Sequence, residues 1–486
     1  MTTATRRIRR LSLLWLCSLS WLAVACGSAK PQSRSSADEE SFEEQSEPEE
    51  TSLAPEERER AGQCYEKCQQ YINAAAKLLA QAGALKGAEQ AQLALYSRAT
   101  DAYIRAWRGC DLVLPDGEDL GCESARDVVP GMVQAMAGTN RPEWLVFAYL
   151  VALDDRWRDD SSELAARAPV ELRDAAEAAA KEAQRNPKGE HAIEASAAAV
   201  YAELALEEVT QASRHAAEHA RAFARSAPDS VSLVAAAVAA YYNDREQWSE
   251  ALTALSGPTN PAPAKHPATK ILWHSERGRA LAGLGRKPAA AQAFGAALQA
   301  WRPPDPNDPS KVVGRQQPAP MLGRERVMDA VGAAYFYLGE QKREQAAGLA
   351  PPRYQGPQTP EGVERFIQGP LARWAQQRQK LVAAANASYR HVYELRPVPP
   401  PRWVVAAQAQ TGAMWDRFAQ DMVSLKLPPK LAGDTETREA FERALQGSAK
   451  PAKDAALKAY ETCRKLAKQY KLDSEYSARC LSGQEE

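Results

Sequence analysis

The sequence predicts an all-α protein, a solenoid of helix hairpins with disulfide-stapled helical ends. Three observations predict it. Alanine, leucine, glutamate, glutamine, arginine and lysine dominate the chain beyond residue 60, and these are the strong helix formers. Runs of alternating β-branched residues, which would mark half-buried strands, are missing. Helix breakers recur at Asn186-Pro187, Ala227-Pro228, Gly257-Pro258, Arg302-Pro303-Pro304 and Arg396-Pro397. The middle ones lie roughly forty residues apart, a spacing that signals a helical repeat.

The chain begins with Arg6-Arg7-Ile8-Arg9-Arg10, an apolar run from Leu11 to Val24, and the small residues Ala23-Val24-Ala25 before Cys26. A basic start, a short hydrophobic stretch and small residues before a cut define a secretory signal over residues 1–25. The apolar run is too short for a comfortable membrane span. With cysteine directly after the small residues, the segment resembles a bacterial lipoprotein lipobox. That resemblance implies cleavage before Cys26, a diacylglycerol on its thiol and acylation of its new amino group. Several acyl chains on one cysteine would hold the protein on a membrane, where a single chain binds only marginally. Gly27 in the second mature position implies delivery to the outer membrane by the enterobacterial sorting rule, with the body facing the periplasm.

Residues 26–60 read as a disordered acidic tether. Between Asp38 and Glu59 there are eleven acidic residues and one basic, Arg58. Such a stretch cannot bury enough apolar surface to offset chain entropy, and its like charges extend it. The first sixty residues hold eight basic and eleven acidic residues of the 61 and 62 in the whole chain, leaving 53 and 51 in the body. A body so close to neutral gives no support to nucleic-acid binding.

Segment 61–188 reads as a helical domain with four cysteines. A helix from about Glu56 to Ala82 and another from about Gln90 to Gly109 turn around Leu85-Lys86-Gly87. That hairpin sets Cys64 nearly opposite Cys110 and leaves Cys68 for Cys122. The dense apolar run Trp144 to Leu153 reads as a buried helix. In segment 426–486, a helix ending near Tyr470 and one starting near Ser474 bring Cys463 to Cys480. An even number of cysteines on an export route suits disulfides.

Segment 189–425 carries the repeats. From Ile271 to Pro303, the residues Gly278, Leu281, Gly285, Ala290, Phe294, Ala297 and Pro303 fall where a tetratricopeptide repeat (TPR) has its signature, and the unit resembles that family. Small Gly278, Ala290 and Ala297 let two helices approach, Leu281 and Phe294 fill the seam, and Gly285 ends the first helix. Looser units precede it (Ala239, Tyr242, Trp248, Ala251 and Leu255; Ala216, Ala220, Phe223 and Pro228). Downstream, Gly332, Tyr335 and Gly339 open a further hairpin. Its second helix is displaced past a proline-rich insertion (Pro351 to Pro360) to Ala387, Tyr389, Val392 and Pro397. Trp403, Trp415, Phe418, Leu427-Pro428, Tyr460, Cys463, Tyr476 and Cys480 give the carboxy-terminal part a resemblance to myxobacterial TPR lipoproteins of gliding motility and type IV pili.

One string has catalytic form. His215-Ala216-Ala217-Glu218-His219 sets two histidines four apart on a helix with a glutamate between, the H-x-x-E-H string of inverzincin peptidases, for which Glu276 is a distant third ligand. Ala216, Ala220 and Phe223 assign the same helix to packing, and no serine elbow or phosphate-binding glycine loop accompanies it. The expectation is therefore a non-enzymatic scaffold without cofactor or metal. It is anchored by lipid and binds envelope proteins in a groove that the TPR resemblance lines with Asn243, Asp244, Ser275, Arg279, Asp329 and Phe336. A lipoprotein that binds cell wall or a small ligand is the alternative.

Overall fold

The computed structural model describes residues 55–85, 89–107, 125–153, 163–256, 264–301, 324–357, 359–395, 399–470 and 472–482, and all regular structure among them is helical. The signal segment, Cys26, the tether up to residue 54, Cys110, Cys122, Pro303 and Pro397 lie outside the described residues, as does the side chain of Cys64. Helix α1 (Pro55–Ala84) begins inside the stretch read as tether. The physical reason is Pro55-Glu56-Glu57: proline suits the first helical position, and acids in the first turn favour the helix dipole.

Among the described residues the chain forms two compact units, 53–337 with 392–400, and 338–391 with 401–486. These cut across the three segments 61–188, 189–425 and 426–486. One hydrophobic core runs across residue 188, from Ala75 and Met132 through Phe147 and Leu172 to Ala195 and Ala202.

In the first unit, α1 packs on α2 (Glu89–Trp107) across the short connection around residues 85–88. Then follow α3 (Ala125–Ala137), α4 (Pro142–Leu153), α5 (Glu163–Arg185), α6 (Ala192–Ala205), α7 (Val209–Phe223), α8 (Pro228–Asn243), α9 (Trp248–Leu255), α10 (Pro267–Gly283) and α11 (Lys287–Ala300). The main contacts run between helices one or two places apart, such as α6 with α7 and α8, or α8 with α9 and α10. Helix α4 is the buried helix expected from its apolar run, with Val146, Phe147, Ala148, Tyr149, Val151 and Ala152 in the core.

One turn recurs three times in this unit. Glu207, Glu246 and Gly285 have φ of 61°, 58° and 71°, and they stand 39 residues apart. After each, an N–H donates back five residues to close the preceding helix: Glu208 to Glu203 O (2.8 Å), Gln247 to Tyr242 O (2.9 Å) and Arg286 to Leu281 O (2.9 Å). This is the Schellman cap, which satisfies carbonyls that a helix end leaves unpaired. Five residues past each left-handed residue stands an alanine, Ala212, Ala251 or Ala290, at 0 % exposure. The seams are as tight as the sequence signature requires: a Cβ on Gly278 would lie 2.9 Å from the Phe294 ring. The 39-residue period exceeds the 34 of a tetratricopeptide repeat.

Helix α12 (Arg324–Gly348) gives residues to both units. In the second unit it is followed by α13 (Pro360–Phe366), a π turn (Ile367–Leu371) and α14 (Ala372–Tyr393), then α15 (Pro401–Val423), α16 (Pro429–Ala432), α17 (Thr435–Gln469) and α18 (Glu475–Ser482). A Cβ on Gly339 would lie 2.3 Å from the Tyr389 ring, so α12 meets the displaced helix beyond the proline-rich insertion, as the sequence suggests. Helix α15 packs along α17, with Gly412 against Tyr460 in the same manner. Leu371 of the π turn and Trp374 of α14 form a core with Phe418 and Met422 of α15 and Ala449 and Ala452 of α17.

Candidate functional site

Asn243, Asp244 and Arg279 of the expected groove come together around Glu276, most of the cluster being buried. The Asn243 amide at the end of α8 donates to Glu276 Oε2 (2.8 Å) and to the Glu276 carbonyl (2.9 Å) on α10. Arg279 donates to Glu276 Oε2 (3.0 Å) and to Asp244 Oδ1 (2.6 Å). Burial pushes the Glu276 carboxyl up, opposed by Arg279 and the Asn243 hydrogen bond. Burial pulls the Arg279 guanidinium down, yet Glu276 and Asp244 more than offset it and hold its pKa above the ordinary value. Ser275 is 0 % exposed and donates to Ala330 O (3.1 Å) on α12. Phe336 is buried and Asp329 half-buried.

The groove reading is therefore corrected for Asn243, Ser275 and Phe336. Their side chains sit inside the unit, because a polar group at a helix crossing finds its partner on the next helix, and a large ring is drawn into the core. Of the remaining three, Asp244 is exposed, while Arg279 reaches the surface only at its edge. Glu276, weighed in the sequence only as a remote metal ligand, is the centre of the cluster. Its signal is the i, i+3 pairing with Arg279 on α10.

The H-x-x-E-H string does not assemble a metal centre. His219 is 1 % exposed, and both ring nitrogens are engaged by serine hydroxyls, Nδ1 with Ser196 (3.0 Å) and Nε2 with Ser230 (3.1 Å). Burial lowers its pKa to about 4. His215 turns to Glu203 instead (2.6 Å), and that hydrogen bond raises its pKa. Glu276 is committed to Asn243 and Arg279. Among the described residues, no group of three or more His, Cys, Asp or Glu could hold a metal ion.

Sequence reasoning missed a second polar cluster. In the second unit Glu340 on α12 accepts from Arg343 (2.8 Å at the closest), from the Tyr389 hydroxyl on α14 and from the Gln410 amide on α15 (3.1 Å). Gln410 Oε1 in turn accepts from Arg479 on α18 (2.9 Å). Burial, then Glu475 and Glu340, push the neighbouring Tyr476 up to about 12. Elsewhere in the same unit, buried Arg378 donates to Leu349 O (2.9 Å) and to Asp421 Oδ2 (2.9 Å). Apart from the local pair of Glu340 with Arg343, these partners stand 29 to 70 residues apart in the chain, so no local pattern announces them. The Cys463 and Cys480 Cα atoms lie 5.9 Å apart, within the span a disulfide bridges. Cys68 is buried on α1.

Both clusters join neighbouring helices by hydrogen bonds, although Asn243 Oδ1 in the first is buried without a partner. No helix among the described residues is long and apolar enough to cross a membrane. The chain matches no model of a known protein family, and a search of curated proteins finds no match to it.

Proposed function

We propose that this chain is a non-enzymatic scaffold or assembly factor of the bacterial cell envelope, held by lipid on Cys26 and binding envelope proteins through a TPR-like stack of hairpins. The observation that carries the reading is the identical helix-closing turn at Glu207, Glu246 and Gly285, each followed by a buried alanine. Stacks of this kind present a long, shallow face to extended peptides or partner helices. The 39-residue period makes the units TPR-like and longer than the family's own.

The lipobox and the acidic tether support an anchored body standing off a membrane, the periplasmic face of the outer membrane by the sorting rule. The approach of Cys463 to Cys480 supports an oxidised pair, and with it an oxidising compartment. Partner contact belongs to accessible positions such as Asp244, and the buried Asn243, Ser275 and Phe336 serve the stack itself.

The test is a tagged full-length protein in intact cells, fed an alkyne palmitate analogue, crosslinked and purified from the membrane fraction. The reading expects label on the wild type, none on Cys26→Ala, and one defined set of envelope proteins with the anchored form. An unlabelled wild type, or a purified protein carrying no protein partners, overturns it. Retention on purified sacculi alone supports the cell-wall alternative instead.

A further inference from the structure

A hollow of about 590 Å³ opens in the second unit between the segment leaving α15 and one face of α17. On α17 its wall is built by Arg438, Phe441, Glu442 and Leu445, spaced as one helical stripe. From Arg438 to Gln446 that stripe runs about 12 Å at the helical rise. Leu425 and Leu427 close the other side, and Val423 stands 37 % exposed at the lip. A mostly apolar hollow of this volume with a few polar groups at its edge has the form of a small-molecule site.

The edge sets the charge of the occupant. Lys426 and Arg438 are both exposed, and neither has an ion-pair partner among the described residues. Glu442 is the acid beside them, so the rim carries one net positive charge. A single carboxylate matches that charge, whereas a phosphate dianion exceeds it and a cation is repelled. The leucines and Phe441 gain by covering an aliphatic chain, which removes apolar surface from water on both sides. A protein helix would need a longer trough than these two and a half turns.

We propose that this hollow binds a free medium-chain alkyl carboxylate, with the chain along the α17 stripe and the carboxylate between Lys426 and Arg438. The site is independent of the scaffold reading's main support, since none of its residues belongs to the three capped hairpins of the first unit.

A photoreactive diazirine analogue of decanoate, applied to the full-length purified protein and mapped by mass spectrometry, tests it. Labelling is expected within residues 423–446, displaced by decanoate, and displaced about tenfold less well by decanol or decyltrimethylammonium. The double variant Lys426→Glu, Arg438→Glu changes two exposed side chains and is expected to keep its helical circular dichroism while labelling falls about tenfold. Labelling elsewhere, equal competition by decanol, or undiminished labelling of the folded double variant overturns the proposal. The single variant Phe441→Ser, on the α17 stripe beside Arg438, reads the apolar half: unchanged competition by decanoate there also overturns it.

Discussion

The two units solve the same problem by different means. The first holds its helices together through small residues repeated at a fixed interval: Ala212, Ala251 and Ala290 are fully buried, and one capping turn closes three hairpins. The second has no such repeat among its described residues. Its long helices α15 and α17 meet over Gly412 and Tyr460, and distant segments are tied by Arg378 with Asp421, by the Glu340 cluster, and by the approach of Cys463 to Cys480. Local repetition makes a unit whose parts specify themselves, whereas long-range polar ties make one whose parts depend on each other.

That contrast can be broken most forcefully at Arg378. Arg378→Met removes a cation that is 2 % exposed and leaves Asp421 and the Leu349 carbonyl with fewer donors. Breaking one side of a buried pair costs about 3–5 kcal/mol, and chemical denaturation should show the loss in the second unit. Fluorescence of Trp374 and Trp415, set against a reporter in the first unit, locates it. An equal loss in both units would deny the contrast.

Smaller by a step is the joint replacement Cys463→Ser, Cys480→Ser. Closing a loop of 17 residues is worth about 3 kcal/mol in the chain-entropy account, so the oxidised wild type should exceed the variant by about that much. Addition of a thiol reductant should abolish the difference. No gap in the absence of reductant would mean the pair is not oxidised.

In the first unit His219 sharpens the comparison through pH. Its folded pKa, about 4, lies below the ordinary 6.5, so the unfolded chain takes up the proton first as pH falls. Its contribution is therefore present above 6.5 and lost toward 4, amounting to about 2 kcal/mol between pH 7 and pH 5. His215, with its pKa raised by Glu203, works in the opposite direction and loses its contribution as pH rises through its folded value. Denaturation of His219→Gln at pH 7 and pH 5 should show a smaller slope than the wild type; an identical slope removes the assignment.

The smallest expected effect has the opposite sign. Glu246 holds a left-handed backbone, which L side chains adopt at a cost and glycine does not. Glu246→Gly, which copies the third turn at Gly285, should stabilise the first unit by about 0.5–1 kcal/mol. A loss of stability on thermal denaturation would show that the three turns are not equivalent.

The same division explains what could be read without coordinates. The helices α1, α2, α4 and α10, the seam of Gly278 with Phe294, and the approach of Cys463 to Cys480 all follow from periodicity, small residues and breakers over short spans. The candidate site was less legible. The TPR resemblance places Asn243 and Ser275 in a groove, but whether such a side chain faces solvent depends on the next helix, and sequence spacing does not carry that. Glu340, Tyr389, Gln410 and Arg479 meet across 49 to 70 residues, where periodicity is silent. The left-handed turns at Glu207 and Glu246 went unnoticed because glutamate is not the residue that usually marks one.

The stacking of the first unit also bears on how it would fail. The main contacts among α1 to α11 reach only one or two places along the chain, so that array is held chiefly by near neighbours. A protease nick or a pull on one hairpin releases the neighbours it touches and leaves the more distant ones seated. Resistance to force is then graded along the array, and a chain hung from one end of it would yield hairpin by hairpin.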